Sequence, residues 1–160
     1  MNRLWEKIKT SPRLRELLLY LIFGVLTTAV NWVVYLIVTN ALGLSAMEPL
    51  SAPYNAAVNL ANVLGWVLSV LFAFLTNRKW VFTADRQGEK GFFRELWLFV
   101  SSRLLGFLLF DILLTNVLLV LLPDFQWILA RDQWIKLFVN LLVIVYNYLA
   151  SRFVVFRKKS

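Results

Sequence analysis

Four stretches of the chain, residues 17–42, 56–76, 96–122 and 134–156, are apolar over their whole length and nearly free of charge. Each reaches the span of about 20 mostly apolar residues needed to cross a hydrocarbon layer of about 30 Å. The first two carry no charged residue; the third contains Arg103 and Asp111, and the fourth Lys136 and Arg152. Composition agrees: 60% of the 160 residues are hydrophobic and 16% charged, against about 45–50% and about 25% in soluble domains. No soluble core of this size could absorb that surplus, so lipid is part of the solvent. The expected fold class is all-α integral membrane, a single transmembrane domain of four helices over residues 1–160.

Direction follows from where the basic residues fall. The segment 1–16 holds five Lys or Arg, the loop 77–95 holds five and the C-terminal end four, whereas the linkers 43–55 and 123–133 hold none and one. Basic residues stay on the cytoplasmic side of a membrane, so both termini and the central loop are expected in the cytoplasm, with the N-terminal apolar run retained rather than cleaved. The net charge of +8 therefore reads as topology and attraction to anionic head groups, worth about 1 kcal/mol per residue near the surface, rather than as a nucleic-acid interface. With no Cys and no His, disulfides and thiolate or imidazole metal sites are excluded, and no cofactor is expected.

The chain repeats itself. Arg15-Glu16-Leu17-Leu18-Leu19-Tyr20 recurs as Arg94-Glu95-Leu96-Trp97-Leu98-Phe99, each opening a span; Asn77-Arg78-Lys79-Trp80-Val81-Phe82 recurs as Ser151-Arg152-Phe153-Val154-Val155-Phe156, each closing one. Two related hairpins that enter and leave on one side form a parallel repeat, with a pseudo-twofold along the membrane normal. Each hairpin also carries a polar stripe. Asn55, Asn59, Asn62, Trp66, Ser69, Ala73 and Asn77 share one helical face of the second span, and Lys136, Asn140, Asn147 and Ser151 one face of the fourth. The first span adds Tyr20, Gly24, Thr28, Asn31 and Tyr35.

Amides within hydrocarbon must meet other helices or a wet groove. Two readings stay open at this point: interhelical hydrogen bonds, worth about 0.6 kcal/mol each, or a substrate path. The charges weigh on the second. Arg103 lies about 12 Å inside its helix at 1.5 Å per residue, where a lone cation costs at least about 2.5 kcal/mol. Asp111 sits two turns on and well round the same helix, a poor direct partner, so an anion from lipid or substrate and a pair with another helix are both open. Arg78, Lys79 and Arg152 lie at head-group level, as phosphate ligands or as snorkelling anchors. No nucleophile–base pair, clustered carboxylates or Gly-rich phosphate loop is visible, and an enzyme is not expected.

These residues resemble the GtrA-like family of small four-span membrane proteins. The resemblance rests on Phe23 to Asn31, on Ala61 to Gly65, on Ser69 and Ala73 through Phe82, on Arg103 to Gly106, on Lys136 to Asn140, and on Asn147, Ser151 to Phe153 and Val155-Phe156; it covers roughly residues 15–157. Asp111 falls beside a position where the family pattern suggests Asn. The resemblance implies a role in cell-surface polysaccharide synthesis at the bacterial inner membrane: flipping of an undecaprenyl-phosphate-linked sugar. Arg78, Lys79, Arg103 and Arg152 would then hold the phosphate, and Asn31, Asn62, Asn77, Asn140 and Asn147, with Asp111 and Lys136, would line a polar groove for the sugar. Anionic lipids are expected partners, and so thin a bundle suggests a homo-oligomer. The alternatives are a non-transporting scaffold that recruits a glycosyltransferase through the basic loop, and a small multidrug exporter, which would want a carboxylate deeper in the first span than Glu16.

Overall fold

A computed structural model of the protein describes residues 11–82, 91–123 and 131–156. The basic residues of segment 1–10, Arg86 and Lys90 of the central loop, and Arg157 to Lys159 lie outside the described residues. Among those described there is no strand, and four helices are long and apolar enough to cross a membrane: α1 (Pro12–Ala41), α2 (Ala52–Val81), α3 (Phe92–Leu121) and α4 (Arg131–Val155). The first three have 30 residues each, about 45 Å at 1.5 Å per residue. They outrun the apolar stretches because their first or last turns are polar and reach the head-group layer.

Local chemistry sets the ends. Pro12 opens α1 at a position where its missing N–H costs nothing, and Gly43, at φ 67°, lets the chain leave α1 in the left-handed conformation. Ser51 begins α2 by accepting a hydrogen bond from the Tyr54 N–H at 3.3 Å. At the other end of the second hairpin the Arg131 guanidinium donates to the carbonyls of Leu119 (3.2 Å) and Leu122 (2.7 Å), capping the C-terminus of α3.

The chain divides into two compact units, Met1–Thr83 and Ala84–Ser160. Each is an antiparallel helical hairpin, α1 with α2 and α3 with α4. The same features recur in both. The buried residues Ala61, Gly65, Ser69, Ala73, Asn77 and Val81 of α2 are spaced by four. Seventy-four positions on, Ile135, Val139, Ser151 and Val155 of α4 are buried and Val143 and Asn147 half-buried. Both second helices finish in a widened turn, Asn77–Val81 and Ser151–Val155, closed by a hydrogen bond from Phe82 N to Asn77 O (3.0 Å) and from Phe156 N to Ser151 O (2.9 Å). An aromatic clasp then ties that turn to the start of the partner helix: Tyr20 with Phe82 at 6.3 Å and 58°, Phe99 with Phe156 at 6.2 Å and 51°. Equal geometry from different residues is what a duplicated hairpin produces.

Candidate functional site

A ridge of residues four apart advances about 40° beyond each full turn, since 3.6 residues complete one. The buried ridge of α2 therefore winds around the helix, while Asn55, Asn59, Asn62 and Trp66 stay on a straight face. The two coincide only toward the widened turn, at Ser69, Ala73 and Asn77. This is why Asn55, Asn59 and Asn62 are exposed, although their spacing alone groups them with the buried positions. Lys136 and Asn140 diverge from the ridge of α4 in the same way and are exposed.

Where the ridges meet the first helix of each hairpin, a glycine lies against an asparagine. Gly65 of α2 faces Asn31 of α1, so that an added Cβ would stand 3.1 Å from the Asn31 backbone oxygen and 3.2 Å from its side-chain nitrogen. In the second hairpin the roles are exchanged. A Cβ on Gly106 of α3 would stand 2.8 Å from the Tyr146 ring and 3.6 Å from the Asn147 Oδ1 of α4. Tyr146 is itself held at 5.3 Å by Phe110. The Oδ1 atoms of Asn147 and of Asn77, the latter residue only 3% exposed, are buried and accept no hydrogen bond. Gly24, on the polar face of α1 with Asn31, has nothing within 4 Å of an added Cβ.

The cations are placed as follows. Lys79 stacks its ammonium 4.9 Å from the Trp80 ring, which in turn stacks on Phe23 at 5.5 Å. Arg78 beside it is half-buried. Arg152 donates from one guanidinium nitrogen to the Tyr148 hydroxyl at 2.9 Å and lies 5.5 Å from the Phe153 ring. Arg103 covers the face of the buried Phe99 at 4.4 Å, so the clasp of the second hairpin also carries a guanidinium. Asp111 finds its partner on the neighbouring helix: Lys136 Nζ donates to Asp111 Oδ1 at 2.9 Å.

The second hairpin thus carries cations at three levels, Arg152 in the widened turn, Arg103 at the clasp and Lys136 toward the other end, Lys136 and Arg152 being about 24 Å apart along α4. The corresponding positions of the first hairpin hold Arg78, Gly24 and Asn62. Among the described residues no group of three or more carboxylates could hold a metal ion. Two residues that sequence reasoning passed over are Glu16 and Glu95, both buried one turn before the clasp aromatics, at 9% and 2% exposure. The Arg-Glu pair that opens each repeat is the signal that marks them.

The fold is that of a multi-pass membrane protein, and comparison with known sequences places it. The chain matches the family described as GtrA/DPMS, transmembrane domain, over residues 19–156. It is 32% identical over the full length of both chains to the cell wall teichoic acid glycosylation protein GtcA of Listeria monocytogenes, and 30% identical, again over both full lengths, to that of Listeria innocua. It is also 32% identical to the membrane protein YwcD of Bacillus subtilis, over 88% of this chain and 95% of that one. No solved structure matches it significantly. With the match running from the first span to the last residues of the second aromatic clasp, the chain belongs to the GtrA/DPMS transmembrane-domain family.

Proposed function

We propose that the protein carries a polyprenyl-phosphate-linked sugar across the bacterial plasma membrane, with both termini in the cytoplasm, to supply the glycosylation of a cell-surface polymer. The observation that carries this reading is the series of cations along an otherwise apolar hairpin: Arg152, Arg103 and Lys136 lie at successive depths in helices whose mean hydropathy reaches 2.5 and 1.6. Ionisable groups inside membrane spans are rare, face the bundle interior or a wet cavity, and mark substrate and ion paths. The names of the Listeria relatives supply the context, glycosylation of cell wall teichoic acid.

In this reading each hairpin offers the phosphate its own cations, Arg78 and Lys79 at the cytoplasmic head-group level in the first, and Arg152 at that level with Arg103 deeper in the second. The guanidinium fork suits phosphate oxygens. In each hairpin an exposed amide, Asn62 in the first and Asn140 in the second, offers hydrogen bonds to sugar hydroxyls while the prenyl tail stays in lipid. The buried oxygen of Asn77 in the first hairpin, where Asn31 braces α2 through Gly65, and that of Asn147 in the second are further acceptors. Exposed amides on helices that cross a membrane also favour a second copy of the chain, whose surface would complete the groove.

The test is reconstitution in liposomes containing a labelled undecaprenyl-phosphate-linked sugar. Movement between leaflets should exceed that in protein-free vesicles and fall at least tenfold in Arg103→Ala, the order lost when a charge-assisted contact is removed. Movement no faster than in empty vesicles, or unchanged in Arg103→Ala, would overturn the proposal.

A further inference from the structure

The Lys136–Asp111 pair has no counterpart in the first hairpin. Seventy-four residues before Lys136 stands Asn62, and 79 before Asp111 stands Trp32, yet ridge, widened exit turn and clasp are the same in both hairpins. A hairpin of this design therefore folds without the pair. The second difference coincides with the first. Asp111 lies in a widened segment, Phe107–Leu114, inside α3, whereas α1 is regular α-helix from Pro12 to Ala41. Such interior widenings loosen a helix and recur at functional positions.

The two partners are unequally placed. The Lys136 side chain is 59% exposed and that of Asp111 18%, so an arriving anion meets the ammonium before the carboxylate. Lys136 donates a hydrogen bond of 2.9 Å to Asp111, and an ammonium has three donors. A phosphate group can thus begin to bind before the carboxylate lets go. Exchanging one anion for another keeps the lysine paired throughout and so avoids the cost of a lone cation beside lipid.

We infer that Asp111 is a resident counter-ion that the phosphate of a polyprenyl-phosphate substrate displaces from Lys136, making this pair an exchange site in the second hairpin. The inference rests on the carrier function proposed above. Asp111 is a positioning residue: it keeps Lys136 neutralised and in place while no substrate is bound, and it reclaims the lysine as the phosphate departs. The same competition sets how tightly phosphate is held, and a carrier must release what it binds.

The test is equilibrium binding of undecaprenyl monophosphate to the full chain in nanodiscs, with undecaprenol and inorganic phosphate as the other probes. Removing the competitor in Asp111→Asn should tighten binding of the monophosphate about tenfold, since a pair facing lipid is little screened. Asp111→Glu should restore the ordinary affinity, and Lys136→Gln should weaken binding and abolish the effect of Asp111→Asn in the double variant. Inorganic phosphate that competes at the lipid's own concentration supports the exchange with free phosphate as its source; competition by the lipid alone supports the lipid source. Unchanged or weaker binding in Asp111→Asn, or a gain that persists without Lys136, overturns the inference. Asp111→Ser is measured alongside, and failure of both neutral variants to give folded protein would show the carboxylate to be structural and overturn it as well. If the wild-type chain does not distinguish the monophosphate from undecaprenol, the carrier function itself falls.

Discussion

Gly106 and Gly24 both lie inside helices, the first buried and the second exposed, and should respond oppositely to one added methyl. In Gly106→Ala the new Cβ would meet the Tyr146 ring at 2.8 Å, and that ring is fixed by Phe110, so α3 and α4 must part. Overpacking of this kind costs about 1–3 kcal/mol. Gly24→Ala meets nothing within 4 Å and gains helix propensity, up to about 1 kcal/mol. Unfolding in mixed micelles of increasing SDS should show Gly106→Ala clearly destabilised and Gly24→Ala equal to or above the wild type. Gly65→Ala should fall between them, because its Cβ would stand 3.1 Å from the Asn31 backbone oxygen, tighter than at Gly24 and looser than at Gly106. Asn77 separates stability from function at a single residue. Its buried oxygen accepts no hydrogen bond, so Asn77→Ala forfeits no bond at that atom and should unfold within about 1 kcal/mol of the wild type, while transport of lipid-linked sugar drops if that oxygen serves the substrate. Unaltered transport in Asn77→Ala would remove the residue from the path.

At the scale of the element, each hairpin is closed by its widened turn and its aromatic clasp. Phe82 and Phe156 are 1% and 2% exposed and occupy matching positions, so Phe82→Ala and Phe156→Ala should cost similar amounts. About 2 kcal/mol each is expected, below the 3–5 kcal/mol of soluble cores, because lipid is nearly as apolar as the packed interior and only the cavity and lost packing remain. Thermal unfolding in detergent checks the equality; a loss in one variant more than twice that in the other would argue against matched clasps. Much of this architecture is legible in the residues, since Arg-Glu at the start and Arg followed by aromatics at the end repeat in order. The buried face was less legible. A stripe of Asn at spacings of three and four looks like a packed surface, but the packed surface is the ridge of small residues at strict spacing of four, and the two part company over the first half of α2. The recurring motifs Asn77 to Phe82 and Ser151 to Phe156 mark where the widened turns fall, but not that the backbone widens there. The Asp111–Lys136 pair also escaped the spacing argument, because periodicity compares residues on one helix and this pair joins two.

For the whole molecule, the distribution of charge predicts which end faces the cytoplasm. In the first hairpin the ends of α1 and α2 that meet around Leu44–Ala46 carry no Lys or Arg and the opposite ends carry Arg13, Arg15, Arg78 and Lys79; in the second, Arg131 stands alone where α3 leads into α4, and the opposite ends carry Arg94 and Arg152. A bias of this kind in short loops sets orientation because basic residues resist transfer across the membrane. The chain has no cysteine, so a single introduced thiol reports without background. Ser45 is exposed in the loop free of basic residues, and Gly91 is exposed at the start of α3 with open space around its Cα. Ser45→Cys should react with a membrane-impermeant maleimide in cells whose outer layers admit the reagent but whose plasma membrane is intact, and Gly91→Cys only after that membrane is permeabilised. The opposite pattern would place the basic ends outside and reverse the direction in which Arg152, Arg103 and Lys136 are met. Labelling of both thiols in intact cells would mean that orientation is mixed, and a carrier path with a defined cytoplasmic entrance could not then be assigned to the cation series.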